Sequence, residues 1–567
     1  MRFPTLFAVA LALAGCATLS TTPLAGTAQP RVPGMVSAAD PRAAEAGAAI
    51  LRQGGSATDA AMATLIALTV VEPESSGIGG GSFLVERDAK GTITTYDARE
   101  TAPHAATGEW WLKNGQAMPF EEQQPGGKSV GVPGNIRMVA RAHQDHGKLP
   151  WRALFQPAIM LARDGFLITP RLHGALDEER TIGALNADAR ALYYDAKGEP
   201  LPIGTRIRNP ALARFLAMIA DRGPDAFYVG PNAQAIVGAV NGAAHNPSPM
   251  TVGDVASYDA KPRPPVCGMY RGYRLCGMGP PSSGATTVFA TLKMLERFDL
   301  ARLGPNSPVA WHLIAESMRL AYADRDQYLA DGEFIFVPVA GLTDPAYLAA
   351  RSALISPDKT MQTVVAGTPA GASRVLAGVQ PTEHGTSHMV ATDSAGNVAS
   401  ITSTIESGFG SGLMVNGYYL NNELTDFSTV PTRDGLPVAN RVEGGKRPRS
   451  SMAPTIVIGP DGHVRLAVGA AGGATIPAQV LKAIIGVIDW RLSAQQAIAL
   501  PVLFSPGETI YLEQGTGAEA MIPALTALGH TKVIARPPGY KANAIEWVEG
   551  RWVGAADPRS EGVAVAQ

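Results

Sequence analysis

Beyond residue 386 the sequence reads as a series of hairpins broken by short helices, and this pattern limits the folds open to the chain. Segments 388–392 and 398–404 flank the turn Ser394-Ala395-Gly396-Asn397, segments 455–458 and 464–468 flank Pro460-Asp461-Gly462, and 546–553 reads as a third hairpin. Residues 484–490 and 494–499 carry helical patterns. Upstream, Asp40-Pro41 supplies an N-cap and a first-turn proline, small and apolar residues run to Leu51, and Gly54-Gly55 stop the helix. Ser56 with Asp59 opens a second helix that runs to about residue 70. Strand patterns follow at 81–86 and 93–96, then a mostly helical stretch over 130–250. At 308–329 Trp311, Ile314, Leu320 and Ala321 recur at helical spacing. Hairpins with helices at either side predict a layered α/β (α+β) protein rather than a parallel doubly wound sheet.

At 567 residues the chain is long enough for three or four domains of roughly 150 residues, or for one large multi-layer domain. Apolar residues are 46% and charged residues 17%, and 62 glycines with 44 prolines stay below the level of low-complexity chains, which excludes wholesale disorder and fibrous repeats. Lys+Arg number 47 against 49 Asp+Glu, a net charge of −2 without long runs of one sign. That leaves no electrostatic footprint for nucleic acid or an anionic bilayer, and no nucleic-acid partner is expected.

Residues 1–20 read as a secretion signal: Arg2 is the only charge, residues 6–15 are apolar or small, and a polar, proline-containing segment follows. The run is too short to span a bilayer, and the later apolar run 60–71 ends at Glu72. The run closes on Leu13-Ala14-Gly15-Cys16, which resembles the lipobox of bacterial lipoproteins and implies cleavage after residue 15 with lipidation of Cys16. The alternative is an ordinary small-residue cleavage site with a coincidental cysteine. On this reading 1–15 is the signal, 16–33 a tether, and the protein is exported, periplasmic or held at the outer membrane through a lipid anchor. The other two cysteines, Cys267 and Cys276, flank Tyr270-Arg271-Gly272-Tyr273. If Arg271-Gly272 is a two-residue turn, counting outward sets the cysteines opposite one another at a separation a disulfide can bridge. An exported protein suits such a bond.

Several motif-like stretches carry no chemistry. The cluster Gly77-Ile78-Gly79-Gly80-Gly81 lacks the Lys-Ser/Thr of a phosphate loop and runs into a strand. Ser356-Pro357-Asp358-Lys359 has the S-x-x-K spacing, but its proline interrupts the helix that would align the pair, and no K-T-G follows. His384 and His388, four apart in a strand, would stand about 13 Å from one another, too far for one ion. Neither a metal nor a cofactor is expected.

Gly385-Thr386-Ser387-His388 differs from these. A hydroxyl needs a base beside it to act as nucleophile, and cutting the chain before Thr386 would free that residue's own α-amine for the task. With a pKa of about 7.7 to 8.0, such an amine can take the hydroxyl proton and return it to a leaving group. A small residue at 385 leaves room for attack on the preceding carbonyl.

Stretches such as "ILRQGGSATDAA" from residue 50, "VVEPESSGIGGGSF" from 70, "YDARETAP" from 96, "GPPSSGATT" from 279, "AYADRDQYL" from 321, "GTSHMVATDSAGN" from 385, "LNNELTDFS" from 420, "GKRPRSSMAPTIV" from 445, "GAAGGATI" from 469 and "ADPRS" from 556 surround this site. In this order they resemble the gamma-glutamyltranspeptidase family, and the resemblance covers nearly the whole chain from about residue 40. It implies a four-layer αββα N-terminal-nucleophile hydrolase fold, made as one inactive precursor. Self-cleavage between Gly385 and Thr386 would leave a large subunit, 34–385, and a small subunit, 386–567, as a heterodimer. The implied activity is hydrolysis or transfer of γ-glutamyl groups from amides such as glutathione, through a γ-glutamyl-Thr386 ester, to water or to an amino-acid or peptide acceptor.

Carried over position by position, the resemblance makes Thr386 the nucleophile and Thr404 its hydrogen-bond partner during processing. Gly472 and Gly473 would offer backbone N–H groups to the tetrahedral oxyanion. Arg99 would grip the substrate α-carboxylate with its bidentate fork, and Ser450 and Ser451 would hydrogen-bond the same group. Glu423 and Asp426 would hold the α-ammonium. Glu406 departs from the pattern, standing where well-studied members carry an amine-binding asparagine. A third acidic group there tightens amine binding or raises a neighbouring carboxyl's pKa. The stretch 429–445 matches the family's lid loop but is shorter and lacks tyrosine. Two alternatives stay open: an acylase for glutaryl-type amides, and a non-catalytic envelope lipoprotein that retains the fold.

Overall fold

A computed structural model describes Met1, residues 32–378 and residues 385–567. The signal segment, almost all of the tether, and Cys16 therefore lie outside the described residues, as does His384.

The strands that matter are β1 (Met35–Ala38), β2 (Gly81–Arg87), β3 (Ile93–Asp97), β4 (Lys261–Arg263), β5 (Val266–Tyr270), β6 (Tyr273–Gly277), β7 (Ser387–Thr392), β8 (Val398–Thr404), β9 (Thr455–Ile458), β10 (Val464–Ala471), β11 (Lys541–Val548), β12 (Arg551–Ala556) and β13 (Val563–Ala566). The principal helices are α1 (Pro41–Arg52), α2 (Ala57–Val71), α3 (Gly284–Leu295), α4 (Pro308–Tyr328), α5 (Ile476–Ile488) and α6 (Ala494–Ala499). One antiparallel sheet has the order β13-β1-β7-β8-β2-β3-β4, and a second has β12-β11-β10-β9-β6-β5. The sheets stack through β7, β8, β10 and β11; α1 and α2 cover the outer face of the first, and α3, α5 and α6 cover the second. The result is a helix–sheet–sheet–helix sandwich.

Local chemistry explains the elements. Asp40 caps α1 by accepting from Arg42 N, and Ser56 with Asp59 forms a reciprocal capping box on α2. All fifteen residues of α2 and all six of β7 are buried, as interior layers require. Arg271 and Gly272 both have positive φ, the geometry of a two-residue turn between twisted strands, and Cys267 pairs with Cys276 across β5 and β6 in a disulfide. The helix read at 484–490 begins at Ile476, eight residues earlier, because Pro477 sits in its first turn rather than breaking it.

The core divides along the sheets. Met389, Ala391 and Ile401 pack toward α2 and the helices of the 130–250 region, whereas Val390 and Val398 point the other way, toward Ile456, Leu466 and Ile485. This alternation fixes the register of β7 and so the place of the residue at its head, Thr386.

Candidate active site

Thr386 is buried immediately before β7, and its backbone has φ 127°, a conformation that β-branched side chains rarely adopt. Its N–H donates to Ser75 O at 3.1 Å, and Ser75 O also accepts from Ile405 N at 3.2 Å. Its Oγ1 lies 3.1 Å from Thr404 Oγ1, which accepts from Glu406 N at 2.8 Å. Glu406 also has positive φ, 78°. Two strained backbones thus meet where the hydroxyls are held together. Gly385 is required here, because a Cβ at that position would stand 1.9 Å from Glu406 O.

Behind Thr386 lies a buried ionic cluster. Ser387 Oγ donates to Glu72 Oε2 at 2.6 Å, and Lys541 Nζ reaches both Glu72 oxygens at 3.0 and 3.1 Å and the Ser75 and Ser387 hydroxyls at 3.3 Å. Burial pushes the Glu72 carboxyl up, but Lys541 and Arg171 outweigh it and hold Glu72 below the ordinary carboxylate range. Glu74 is pushed up to about 7 by burial and by the Glu72 charge.

Beside Thr386 is a small, partly open pocket lined by Arg99, Thr386, Thr404, Glu406, Glu423, Asp426 and Ser450 together with Met452 and Ile476. Arg99 follows β3, is almost fully buried, and pairs with Glu423 Oε1 and Asp426 Oδ2. Its guanidinium also donates to Pro448 O at 3.2 Å and Arg449 O at 2.9 Å. Glu423 and Asp426 share a 3₁₀ turn, Glu423–Asp426, and among the described residues Glu423 Oε2 and Asp426 Oδ1 find no donor. Burial, reinforced by Glu100, Asp426 and Glu406, raises Glu423 well above the carboxylate range against the pull of Arg99. Burial also raises Asp426, and Glu100 is pushed up to about 8, again chiefly by burial. Glu406 Oε2 accepts from Ser407 Oγ and Asn422 Nδ2.

Seven of the residues singled out from the sequence therefore line one pocket. Ser451, fully buried next to Ser450, is not part of the lining. Gly472 and Gly473 also stand outside it, in the turn between β10 and α5. Gly472 has φ 119°, Thr475 Oγ1 holds its carbonyl at 2.7 Å, and among the described residues no acceptor is paired with either glycine's N–H. Residues 429–445 carry a small exposed hairpin, Thr432–Arg433 with Leu436–Pro437, and Asn440 Nδ2 ties the segment to Asp426 O at 2.7 Å.

Sequence reasoning missed Met452 and Ile476, although both lie in the motifs that carried the resemblance. It also missed Lys541, whose only signal is a lysine opening a strand. A third group escaped because 218 residues separate its halves: His312, Glu316 and His530 are buried within 4.8 Å of one another, a composition that suits a metal. Yet His312 Nδ1 and His530 Nε2 face each other at 2.7 Å, and His312 Nε2 meets Ser356 O at 2.8 Å. Glu316 is committed to Arg319 Nη1 at 2.6 Å, Thr360 Oγ1 at 2.9 Å and Met361 N at 2.6 Å. With both Glu316 oxygens and both His312 nitrogens engaged inside the protein, this is a hydrogen-bonded joint.

Two antiparallel sheets between helical layers, with a threonine at the head of an inner strand, are the fold of an N-terminal-nucleophile hydrolase. The chain matches the Gamma-glutamyltranspeptidase family over residues 43–567 and belongs to that family. It is 37% identical over 546 residues to the glutathione hydrolase proenzyme of Bacillus subtilis strain 168, covering 94% of this chain and 91% of the relative. It is 36% identical over 542 residues to the acylase ACY 1 proenzyme of Pseudomonas sp. strain SE83, covering 94% and 93%. The crystal structure of cephalosporin acylase from Bacillus halodurans superposes with a TM-score of 0.82 at 27% identity, covering 94% of this chain and 96% of that one.

Proposed function

We propose that the chain is an autoprocessed γ-glutamyl hydrolase/transferase acting on glutathione-like amides through Thr386. The observation that carries this reading is a strained threonine hydroxyl against Thr404, at the edge of a pocket that holds one arginine and three acids.

In processing, Thr386 Oγ1 attacks the Gly385 carbonyl carbon, the peptide C–N bond breaks, and the acyl group moves from nitrogen to oxygen. Water then hydrolyses the ester, leaving a Gly385 carboxylate and a free Thr386 amine. The positive φ of Thr386 favours this step, because the strain need not persist once the peptide is cut. Ser75 O, already bonded to the Thr386 nitrogen, retains the new amine near the hydroxyl. In turnover that amine takes the hydroxyl proton, Oγ1 attacks the γ-carbonyl carbon, and the proton passes to the departing amine. Water or an acceptor amine then resolves the ester. The Gly472 and Gly473 N–H groups stabilise the oxyanion.

The pocket suits a zwitterion. Without substrate, Arg99 pairs with one oxygen of Glu423 and one of Asp426; with it, the α-carboxylate takes up Arg99, and the α-ammonium takes up the donorless oxygens of the two acids, beside Glu406. A glutaryl side chain would leave those oxygens unpaired, at a cost of about 1–3 kcal/mol each. The likeness to two acylases nevertheless makes glutaryl amides the reading to test against. A folded, processed sample should release the chromophore from a γ-glutamyl anilide with higher kcat/KM than from its glutaryl counterpart. No release sinks the γ-glutamyl reading, and the opposite preference replaces it with the acylase. We further propose export with lipid attachment at Cys16; Cys16→Ser would abolish a lipid-sized mass increment on the large subunit.

A further inference from the structure

Arg325 lies in the last turn of α4, is almost fully buried, and is not part of the pocket lining. Its guanidinium holds the Ser451 side chain directly and the Ser450 backbone through Ser283. Nη2 donates to Ser451 Oγ at 2.6 Å. Nε donates to Ser283 Oγ at 2.9 Å, and Ser283 in turn donates its hydroxyl to Ser450 O at 2.7 Å and its N–H to the same oxygen at 2.8 Å. Asp326 pairs with Arg325 Nη1 at 2.7 Å and with Arg449 Nη2 at 3.1 Å, and Arg449 Nη1 donates to Arg325 O at 3.1 Å.

The chemistry of the partners gives this arrangement a direction. A serine hydroxyl can donate or accept, but a guanidinium only donates and does not lose its proton. Ser451 Oγ must therefore accept from Arg325, and its own proton is turned away from it. Ser450 Oγ likewise accepts from Met452 N at 3.2 Å, which leaves its proton free to point elsewhere. Two hydroxyls that would otherwise rotate are poled as donors, the form a carboxylate needs. The Arg325 charge also reaches the pocket: with Arg99 and Arg449 it opposes the upward push of burial on Asp426.

We propose that Arg325 is a positioning residue that fixes the Ser451 hydroxyl as a hydrogen-bond donor, holds the Ser450 backbone through Ser283, and thereby sets the preference for substrates bearing an α-carboxylate. This rests on the γ-glutamyl reading above. An arginine that merely braced α4 against Ser283 and Ser451 would affect every substrate alike, and the test exploits that difference.

Processed wild type, Arg325→Met, Arg325→Lys, Ser451→Ala and the Arg325→Met/Ser451→Ala double variant are assayed with γ-glutamyl and 4-aminobutyryl anilides, the second lacking only the α-carboxylate. Arg325→Met should lower kcat/KM for the γ-glutamyl anilide roughly ten- to hundredfold, mostly through KM, as expected when a hydrogen bond to a charged group is lost. The 4-aminobutyryl anilide should lose much less, roughly severalfold at most, because only the Arg325 charge that helps keep Asp426 ionised bears on its ammonium. The double variant should fall no further than the deeper single one, and Arg325→Lys should recover part of the preference. Equal losses on both substrates, or additive losses in the double variant, overturn the proposal. If Arg325→Met yields no processed enzyme, Arg325→Lys and Ser283→Ala carry the same ratio test with the same overturning outcome. A wild type without preference for the γ-glutamyl anilide would instead overturn the functional reading itself.

Discussion

The protein contains two buried clusters built from similar charges and left in opposite states. In the His312–Glu316–His530 cluster both carboxylate oxygens have donors, and Arg319, Thr360 and Met361 complete the network. In the Arg99–Glu423–Asp426 cluster the arginine is engaged, but each acid keeps an oxygen without a donor among the described residues. A buried polar atom without a partner costs free energy, so a fold retains it where something else completes it. On the proposed reading the first cluster is a joint and the second a receptor, and the two should fail differently.

The largest effect belongs to the receptor side. Thr386→Ala removes the oxygen needed for both cutting and turnover, so the chain should stay intact and inactive, followed by intact mass and anilide release on the same samples. Full activity in that uncut variant would assign the chemistry to another nucleophile. On the joint side, Glu316→Ala strands the buried Arg319 and should lower unfolding free energy by about 3–5 kcal/mol in denaturant titrations. Its kcat/KM per folded molecule should stay near wild type; a large loss of activity would erase the distinction between the clusters.

Glu423→Gln sharpens the contrast. It should raise KM for a γ-glutamyl anilide roughly ten- to hundredfold through the loss of a charged hydrogen bond to the ammonium. Thermal melting should show little loss of stability, because one member of a crowd of acids has been neutralised. The smallest effect is a slope. Glu100 is held at about 8 in the fold, against about 4.3 in an unfolded chain, so the folded state keeps a proton that the unfolded state has released. Its contribution is complete below pH about 4.3 and is lost as pH rises toward 8. Glu100→Gln, which mimics the protonated acid, should therefore flatten the decline of Tm between pH 5 and 8; an unchanged slope would assign the decline to other groups.

The hairpins, the caps of α1 and α2 and the opposed cysteines were legible because turn chemistry and capping are local in sequence. Read from sequence, α5 starts at residue 484, eight residues late, although a proline such as Pro477 is compatible with a first helical turn. The pocket residues were nameable through ordered motifs, yet their pairing was not. Nothing in the spacing of Arg99 and Glu423, 324 residues apart, says that they pair with one another. The roles of Lys541 and Arg325 depend on which strand or helix packs against which serine, information that exists only once the layers are stacked.

The order β13-β1-β7-β8-β2-β3-β4 has a kinetic consequence. Segments from both sides of the Gly385-Thr386 bond are interleaved in it, so neither side carries a complete sheet. Folding of the intact chain is unimolecular, whereas reassembly after the cut would be a bimolecular search between fragments with exposed strand edges. Once cut, the protein's working lifetime is therefore set by how slowly it opens rather than by the balance between folded and unfolded forms, and heating past that barrier should be a one-way passage.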